Sequence, residues 1–390
     1  MNFITKFRVE HTGGQRLQQI RSIQALRALA AFAVLMAHLY GVENKHSDGN
    51  TVLSASALVG VSGVDLFFVI SGFIMVWIAG DLPAGARNAG KFLFARVARI
   101  YPVWWLFAGA MAAYLYITYG TPWDADMVQR LGVNGIGHLL KSFLLIPHDA
   151  LPVLSVGWTL IHEIYFYLVF ALLLLLPQSY RLPAFILWAI VILASISVQL
   201  TGSYANSIFS LVLFPMTLEF LMGGAAAWIL KSSQGQWRWP ALIGGVVWLI
   251  MALILVDFQS ADETLPTART FAYGPAFALL VYALVAIEQT TRFGTLIPQS
   301  LVRIGDWSYS LYLCHLLVIS AVARVFFPFF AAEGIFDNLA FIIIATGAAL
   351  FVSGLAYYLF ERPVLVAARR ARNHWFSEHD PAPHPVSPKS

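Results

Sequence analysis

The chain has 390 residues, of which 59% are hydrophobic and only 11% charged, and its mean hydropathy is +0.72. Soluble domains carry about a quarter charged residues, so this composition excludes an ordinary soluble protein and predicts a polytopic membrane protein. The single cysteine, Cys314, excludes an internal disulfide and a cysteine-based metal cluster, and the formal charge of +4 requires no nucleic-acid partner.

Ten apolar runs are long enough to cross a bilayer, which takes about 20 residues of helix. They cover residues 23–41, 55–79, 94–117, 155–176, 183–201, 207–230, 240–257, 267–287, 307–328 and 337–360. We therefore predict an all-α polytopic membrane protein with about ten transmembrane helices. The apolar stretch 137–146 is too short to span, so we expect it to lie at the interface or to re-enter the membrane.

The distribution of Lys and Arg sets the predicted orientation. With the N-terminus inside, most basic residues fall on inner segments, which include the lead-in 1–22 and the tail 364–390. The outer segments carry Lys45, Arg130, Lys141, Arg269 and Arg324. The positive-inside rule then predicts cytoplasmic termini on either side of one membrane domain, residues 23–363. The tail is basic and then rich in Pro and His, and we expect its end to be disordered.

The first span holds Arg27 and His38, which are separated by ten apolar residues. Eleven steps of 100° make three turns plus roughly 20°, so both side chains project from one helix face with a rise of about 16 Å between them. Ionisable groups are costly in hydrocarbon and are functional candidates there. The alternative is an arginine that snorkels to the interface and a histidine that packs in the core.

Further ionisable residues fall within later spans. Asp65, Glu163 and Glu219 are carboxylates in apolar runs, and His315 is a second intramembrane histidine. Such groups need partners or a wet cavity, or they join helices through structural hydrogen bonds. For Glu219 the structural role is the better interpretation, whereas for Asp65 and Glu163 both interpretations stay open.

A pair of arginines, Arg96 and Arg99, precedes Tyr101-Pro102 at the expected cytoplasmic mouth of the third span. Positions i and i+3 share a helix face, and planar guanidinium groups suit phosphate oxygens. The alternative is a pair of positive-inside anchors. There is no phosphate-cradling loop and no H-E-x-x-H motif, and His162-Glu163 has no evident third ligand, so we predict no metal site.

Taken together, these motifs resemble those of the acyltransferase-3 family, integral-membrane acyltransferases that modify bacterial surface and secreted glycans. The resemblance runs from Gln24 to Pro363. It rests on the Arg27–His38 helix, Gly-Val-Asp-Leu-Phe-Phe-Val-Ile-Ser-Gly-Phe at 63–73, the R-x-x-R pair, Trp158-Thr-Leu-x-x-Glu163, Glu219-Phe-Leu-Met-Gly223 and Ser308-Tyr-Ser-Leu-Tyr-Leu-x-His315. With no outer SGNH domain expected, the chain is most similar to the exopolysaccharide O-acetyltransferase branch.

The resemblance implies a ten-span helical enzyme of the bacterial cytoplasmic (inner) membrane. It would transfer an acyl group, usually acetyl, from cytoplasmic acyl-CoA to a hydroxyl of a cell-surface or secreted glycan or of a lipid-linked sugar. Arg27 and His38 would be the central catalytic pair, and Arg96 and Arg99 would belong to the donor site. Neither a metal nor a nucleic-acid partner is implied.

The other roles are hypotheses from side-chain chemistry. Arg27 and Tyr101 would join the two arginines at the donor site. His38 would act as a general base or would itself become acylated, and Glu163 or Asp65 would orient its imidazole. Acceptor contacts and stabilisation of the tetrahedral intermediate would come from polar and aromatic side chains of later spans. These are Trp158, Ser310, Tyr312 and His315.

Two other classes of function remain in view. In a secondary transporter or a flippase of a glycan intermediate, the intramembrane Asp, Glu, His and Arg residues would line a translocation path. Internal inverted repeats, which such a transporter tends to carry, are not visible in the sequence. A membrane-spanning scaffold or sensor is the third alternative. Ester formation from labelled acetyl-CoA by the protein in liposomes would separate an enzyme from both.

Overall fold

The computed structural model of the chain describes residues 20–46, 51–148, 150–198, 207–256, 265–329 and 334–377. Every regular element in these ranges is helical. The α-helices are α1 Arg21–His46, α2 Gly63–Ala79, α3 Ala86–Tyr119, α4 Ala125–Leu131, α5 Gly135–Leu144, α6 Gly157–Leu175, α7 Gln178–Ser197, α8 Ile208–Val212, α9 Thr217–Ser233, α10 Arg238–Leu255, α11 Leu265–Thr290, α12 Phe293–Leu296, α13 Gln299–Phe326, α14 Ile335–Ala356 and α15 Arg362–Ser377.

Within the described ranges, ten helical segments are long and apolar enough to cross a membrane, which confirms the predicted ten spans. Three of them are interrupted. A 3₁₀ helix, Ala55–Ser62, leads into α2, and α8 is separated from α9 by a short break that contains Pro215. In the last segment, the π-helix Tyr357–Glu361 lies between α14 and α15. The first part of the lead-in, 1–19, and the Pro- and His-rich end of the tail, 378–390, lie outside the described residues.

Helix α3 is longer than its apolar run predicted. It begins at Ala86 and has 34 residues, or about 51 Å, against a hydrocarbon core of about 30 Å. Its first turns contain the polar residues Arg87, Asn88 and Lys91, which lower the local hydropathy. The apolar run from which this span was predicted therefore begins only at residue 94. The C-terminal helix α15, predicted only as a basic tail, packs along this polar part of α3.

The centre of the molecule is built from five helices, α1, α2, α9, α11 and α13, with α1 against α13 and α2 against α9 as the most extensive pairs. Helices α1 and α13 are the first and ninth spans, so alternate crossing makes them parallel. By contrast, α7 and α10 bury only a few of their side chains, as expected of helices that face lipid.

Glycines allow α2 and α9 to touch backbone to backbone. A Cβ atom on Gly72 would lie 1.9 Å from the carbonyl oxygen of Phe220, and one on Gly223 would lie 1.9 Å from that of Val69. Apolar burial drives helix association weakly in lipid, so close packing of small residues carries much of it. This contact fixes the central pair of helices.

The predicted interfacial stretch 137–146 contains α5, which is ten residues long and cannot span. Its C-terminal end is tied to the middle of α3. Tyr101 donates a hydrogen bond to the carbonyl oxygen of Leu144 at 2.9 Å, and the Trp105 indole donates to that of Phe143 at 3.0 Å. Because Trp105 lies about 21 Å along the helix before the end of α3, the segment folds back along the middle of α3.

We expect Gly72→Ala to lower the free energy of unfolding by about 1–3 kcal/mol or more, because the new methyl group would overlap a backbone oxygen at the α2–α9 contact. Thermal unfolding of the detergent-solubilised protein measures this. Gly109→Ala is the matched control, since a Cβ there meets nothing within 4 Å, and it should be neutral or stabilising. Equal melting temperatures for the two variants would contradict the proposed close contact.

A second prediction concerns the buried pair His138 and His148, whose Nδ1 and Nε2 atoms are 3.2 Å apart. Burial, followed by the neighbouring His148, lowers the pKa of His138 to about 4. The unfolded segment therefore takes up the proton first, at about pH 6.5. The stability that the neutral pair contributes is complete above about pH 6.5 and is lost as the pH falls toward about 4.

Melting temperatures recorded between about pH 7.5 and about pH 4.5 test this assignment. The wild-type protein should lose more stability over this range than His138→Asn, which has no proton to gain at that site. Parallel curves for the two proteins would show that His138 does not titrate with folding.

Candidate active site

Arg27 and His38 lie on one continuous helix, α1, so the predicted rise of about 16 Å along one face is retained. Arg27 is buried and interacts electrostatically with Arg99, Glu361, Glu163 and Asp306. These five residues are called the charged cluster below. His38 is half-buried and belongs to a different group of side chains further along the helix. The two ends of the predicted motif therefore lie in two distinct environments.

Glu163 lies on the side of the arginines. Its Oε1 atom accepts hydrogen bonds from Ser71 at 3.0 Å and from the Tyr167 hydroxyl at 2.5 Å. The guanidinium of Arg96 lies 5.8 Å from the centre of the Tyr167 ring. The carboxylate is thus held by two donors and faces positive charge, which is the arrangement that makes an ion tolerable in a low dielectric.

Glu361 is a member of the charged cluster that was not among the site residues predicted from the sequence. It ends the π-helix Tyr357–Glu361 between α14 and α15, is 2% exposed, and accepts a hydrogen bond from Ser310 at 2.6 Å. Ser310, predicted to contact the acceptor, therefore joins α13 to the charged cluster. The available signal was a carboxylate at the C-terminal end of an apolar run, followed directly by Arg-Pro.

His38 and His315 form an imidazole pair, with ring centres 4.8 Å apart in an edge-to-face arrangement. Each ring contacts the carbonyl oxygen one turn earlier through Nδ1: His38 that of Val34 at 2.8 Å, and His315 that of Leu311 at 3.2 Å. A carbonyl oxygen only accepts, so Nδ1 carries the hydrogen and neutral Nε2 has the free lone pair. Both rings are therefore oriented as bases.

The imidazole of His38 is oriented by the backbone and not by an acid. Within the described residues, neither Asp65 nor Glu163 hydrogen-bonds to it, because Asp65 contacts Arg269 and Glu163 contacts Ser71 and Tyr167. The expected carboxylate partner is therefore not seen in this geometry. The carbonyl of Val34 selects the same tautomer that a carboxylate would have selected.

Tyr312 lies beside the imidazole pair, 5.8 Å from the His315 ring between ring centres. Its hydroxyl is 2.9 Å from Thr159 Oγ1 and 3.2 Å from the carbonyl oxygen of Val156, so it connects α13 to the start of α6. Trp158 instead packs edge-to-face against His162, with ring centres 5.7 Å apart. Of the predicted acceptor residues, Tyr312 and His315 thus lie at the pair.

Asp65 belongs to a separate buried group with Arg269 and Glu219. Its Oδ2 atom is 2.5 Å from the Arg269 guanidinium, and Glu219 lies close to both. Asp65 and Glu219 occupy the first turns of α2 and α9, where the positive end of the helix dipole favours a carboxylate. Arg269, assigned from sequence to an outer segment, is buried within α11. The ion pair joins α2 to α11, and Glu219 brings α9 into the same group.

Arg96 and Arg99 line a cavity of about 180 Å³ between α3 and α15. Tyr101 is not in the wall of this cavity. It follows Arg99 by two residues, so its side chain projects about 200° around the helix from that of Arg99, and its hydroxyl donates a hydrogen bond to the carbonyl oxygen of Leu144. Arg99 also interacts with Arg27, so the cavity adjoins the charged cluster. Among the described residues, no group of three His, Cys, Asp or Glu is arranged to hold a metal ion.

Comparison with known proteins identifies the family of the chain. The acyltransferase-3 family model, described as an acyltransferase domain, matches residues 20–358. The exopolysaccharide production protein ExoZ of Rhizobium meliloti is 31% identical over 80% of this chain and 92% of its own length. The acyltransferase MdmB of Streptomyces mycarofaciens is 30% identical over 78% of this chain and 80% of its own length. Nodulation protein 10 of Rhizobium leguminosarum is 25% identical over 81% of this chain and 86% of its own length. No solved structure matches the chain.

Two serines of α13 test the contact between Ser310 and Glu361. Both Ser308 and Ser310 are fully buried, but only Ser310 bonds to the carboxylate, and Ser308 Oγ has no partner in the described ranges. We expect Ser310→Ala to destabilise the protein by about 1–3 kcal/mol, since it leaves a buried acceptor without its donor. Ser308→Ala should be neutral. Thermal unfolding of both variants measures this difference. Equal losses of stability in the two variants would contradict the hydrogen bond from Ser310 to Glu361.

Proposed function

The chain belongs to the acyltransferase-3 family, and we propose that it moves an acyl group, acetyl by default, from acyl-CoA to a sugar hydroxyl. The donor enters from the cytoplasm, where both termini lie, and the protein resides in the bacterial cytoplasmic membrane. The acceptor is a cell-surface or secreted glycan or its lipid-linked precursor. This choice is supported by the relative ExoZ, whose name places it in exopolysaccharide production.

The donor site is the cavity of Arg96 and Arg99, with Arg27 further along the path. Coenzyme A carries its negative charge at the nucleotide end, and guanidinium groups bind phosphate oxygens in bidentate fashion. Its pantetheine arm is slender and extended. From Arg27 the helix rises about 16 Å to His38, so an arm that follows α1 brings the thioester to the imidazole pair.

His38 acts on the acceptor through Nε2. Its lone pair takes the proton of the sugar hydroxyl while the oxygen attacks the thioester carbonyl carbon. The tetrahedral intermediate then collapses, the carbon–sulfur bond breaks, and the thiolate leaves with the proton from the imidazolium. The same lone pair can instead attack the thioester first to give an acyl-imidazole. An acyl-enzyme that accumulates without acceptor would identify this second route.

Other residues of the site have supporting roles. His315, with Nε2 buried and unpartnered among the described residues, is suited to hold the acceptor through a hydrogen bond. The hydroxyl of Thr159 on α6 holds Tyr312 beside His315, and Trp158 lies next to Thr159 at the start of α6. Glu163 and Ser310 stabilise the charged cluster through which the donor passes. Asp65 serves this site through the packing of α2, which carries Ser71.

One observation carries the proposal. The lone pair of His38 is fixed in position by the Val34 carbonyl, on the same helix face as an arginine that adjoins a basic cavity. A base at one end of the path and anion-binding groups at the other are what transfer from an anionic thioester requires.

Replacing the ring tests the proposal. We expect His38→Leu to reduce ester formation by about 10²- to 10⁴-fold in proteoliposomes given labelled acetyl-CoA and a glycan acceptor, because the general base is lost. His46→Leu is the matched control. His46 lies eight residues later on α1 and makes the same contact to the carbonyl one turn earlier, but it is exposed. It should keep wild-type activity.

Undiminished turnover by a correctly inserted His38→Leu would refute the proposed role of His38. Movement of a glycan intermediate without ester formation would instead indicate a flippase. Mass spectrometry of glycans from cells with and without the gene names the products, because each acyl group adds a defined mass to the repeat unit.

A further inference from the structure

The cavity between α3 and α15 has four arginines in its wall: Arg96 and Arg99 from α3, and Arg369 and Arg372 from α15. Each pair is spaced i and i+3, so its two guanidinium groups project from one face of their helix. The rest of the wall is apolar and includes several alanines, whose small side chains leave the space open. The predicted basic tail thus forms one side of a defined cavity.

Arg99 faces the acidic residues of the charged cluster, whereas the α15 side of the cavity adds further positive charge. Arg372 interacts unfavourably with both Arg369 and Arg96, and in the part of the chain that the structure describes none of the four forms a salt bridge. Arg96 Nε is also buried there without a hydrogen-bond partner. Gathering like charges is destabilising, and an anion bound among them would offset the cost.

Helix α15 is anchored to α3 by contacts near its C-terminal end. Near its end, the backbone carbonyl of Phe376 accepts a hydrogen bond from Arg87 on α3, and Trp375 packs edge-to-face against Phe94 with ring centres 5.3 Å apart. The side chain of Lys91 lies 5.9 Å from the Phe376 ring. These contacts, at the far end from the charged cluster, keep the four arginines facing one another.

We propose that this cavity binds the 3′-phosphate of coenzyme A, and that Arg369 and Arg372 select for donors that carry it. The inference rests on the proposed function. Arg99 belongs to both the cavity and the charged cluster, so the diphosphate and the pantetheine arm lead from there toward Arg27. The arginines of α15 then face the remaining anionic group of coenzyme A, its 3′-phosphate. This phosphate monoester carries a charge of about −1.5 to −2 at neutral pH.

The size of the cavity agrees with this assignment. A cavity of about 180 Å³ is large enough to admit a phosphate group. An anionic lipid headgroup offers the same phosphate chemistry, so the test must distinguish the two sources.

The experiment compares acetyl-CoA with 3′-dephospho-acetyl-CoA, using the full-length protein in phosphatidylcholine vesicles. We expect the wild type to prefer acetyl-CoA by about tenfold or more in kcat/KM, chiefly through KM. The double variant R369Q/R372Q should lose this preference by raising KM for acetyl-CoA toward that for the dephospho donor. R370Q is the matched control, since Arg370 is exposed and absent from the cavity wall, and it should behave as wild type.

Calorimetric titration with coenzyme A and dephospho-coenzyme A repeats the comparison without turnover. It therefore reports on the phosphate site even if the chain acylates no tested acceptor, which would count against the proposed function alone. The inference is overturned if the wild type binds both ligands equally or if R369Q/R372Q keeps the preference. It is also overturned if the variant differs from wild type only when phosphatidylglycerol is added to the vesicles, because the arginines would then be lipid contacts.

Discussion

Burial of charge inside an apolar bundle is the constraint on which this structure depends. Taking an ion out of water costs several kcal/mol even after relaxation, and partners must offset that cost. The chain meets this requirement in two ways. Asp65 and Arg269 form a direct pair with Glu219 beside them, and Glu163 and Glu361 each accept hydrogen bonds from hydroxyl groups of other helices. Charged groups thereby connect the helices whose apolar faces alone would not specify their positions.

The two buried groups serve different purposes. Around Arg269 the ion pair with Asp65 joins α2 to α11, and Glu219 of α9 lies beside it. Around Arg27 and Arg99 opposite and like charges lie together beside the α3–α15 cavity. Parallel packing of α1 and α13 links this cluster to the imidazole pair, because α1 supplies Arg27 and His38 while α13 supplies Ser310, Tyr312 and His315. A rigid pair of helices thus sets the distance between the charged cluster and the imidazole pair.

Much of the fold followed from the sequence because hydropathy and helical period report on lipid burial directly. All ten spans were predicted, and so was the common face of Arg27 and His38. The misses have physical causes. The polar start of α3 is invisible to a hydropathy window, and Tyr101 was grouped with Arg99 although the helix turns it away. Arg269 looked like a loop residue because its partner, Asp65, is 204 positions distant. The orienting group of His38 is a backbone carbonyl, which no side-chain pattern reveals.

The π-helix before α15 has a consequence for how this region must be read. A single wider turn at Tyr357–Glu361 accommodates one extra residue, which changes the phase of everything after it by about 100° relative to an uninterrupted α-helix. A helical wheel drawn straight through residues 335–377 would therefore assign the guanidinium groups of the last helix to the wrong azimuth. Removing one residue from that turn would keep the amino-acid composition nearly intact and yet alter the geometric relation between the last two helices.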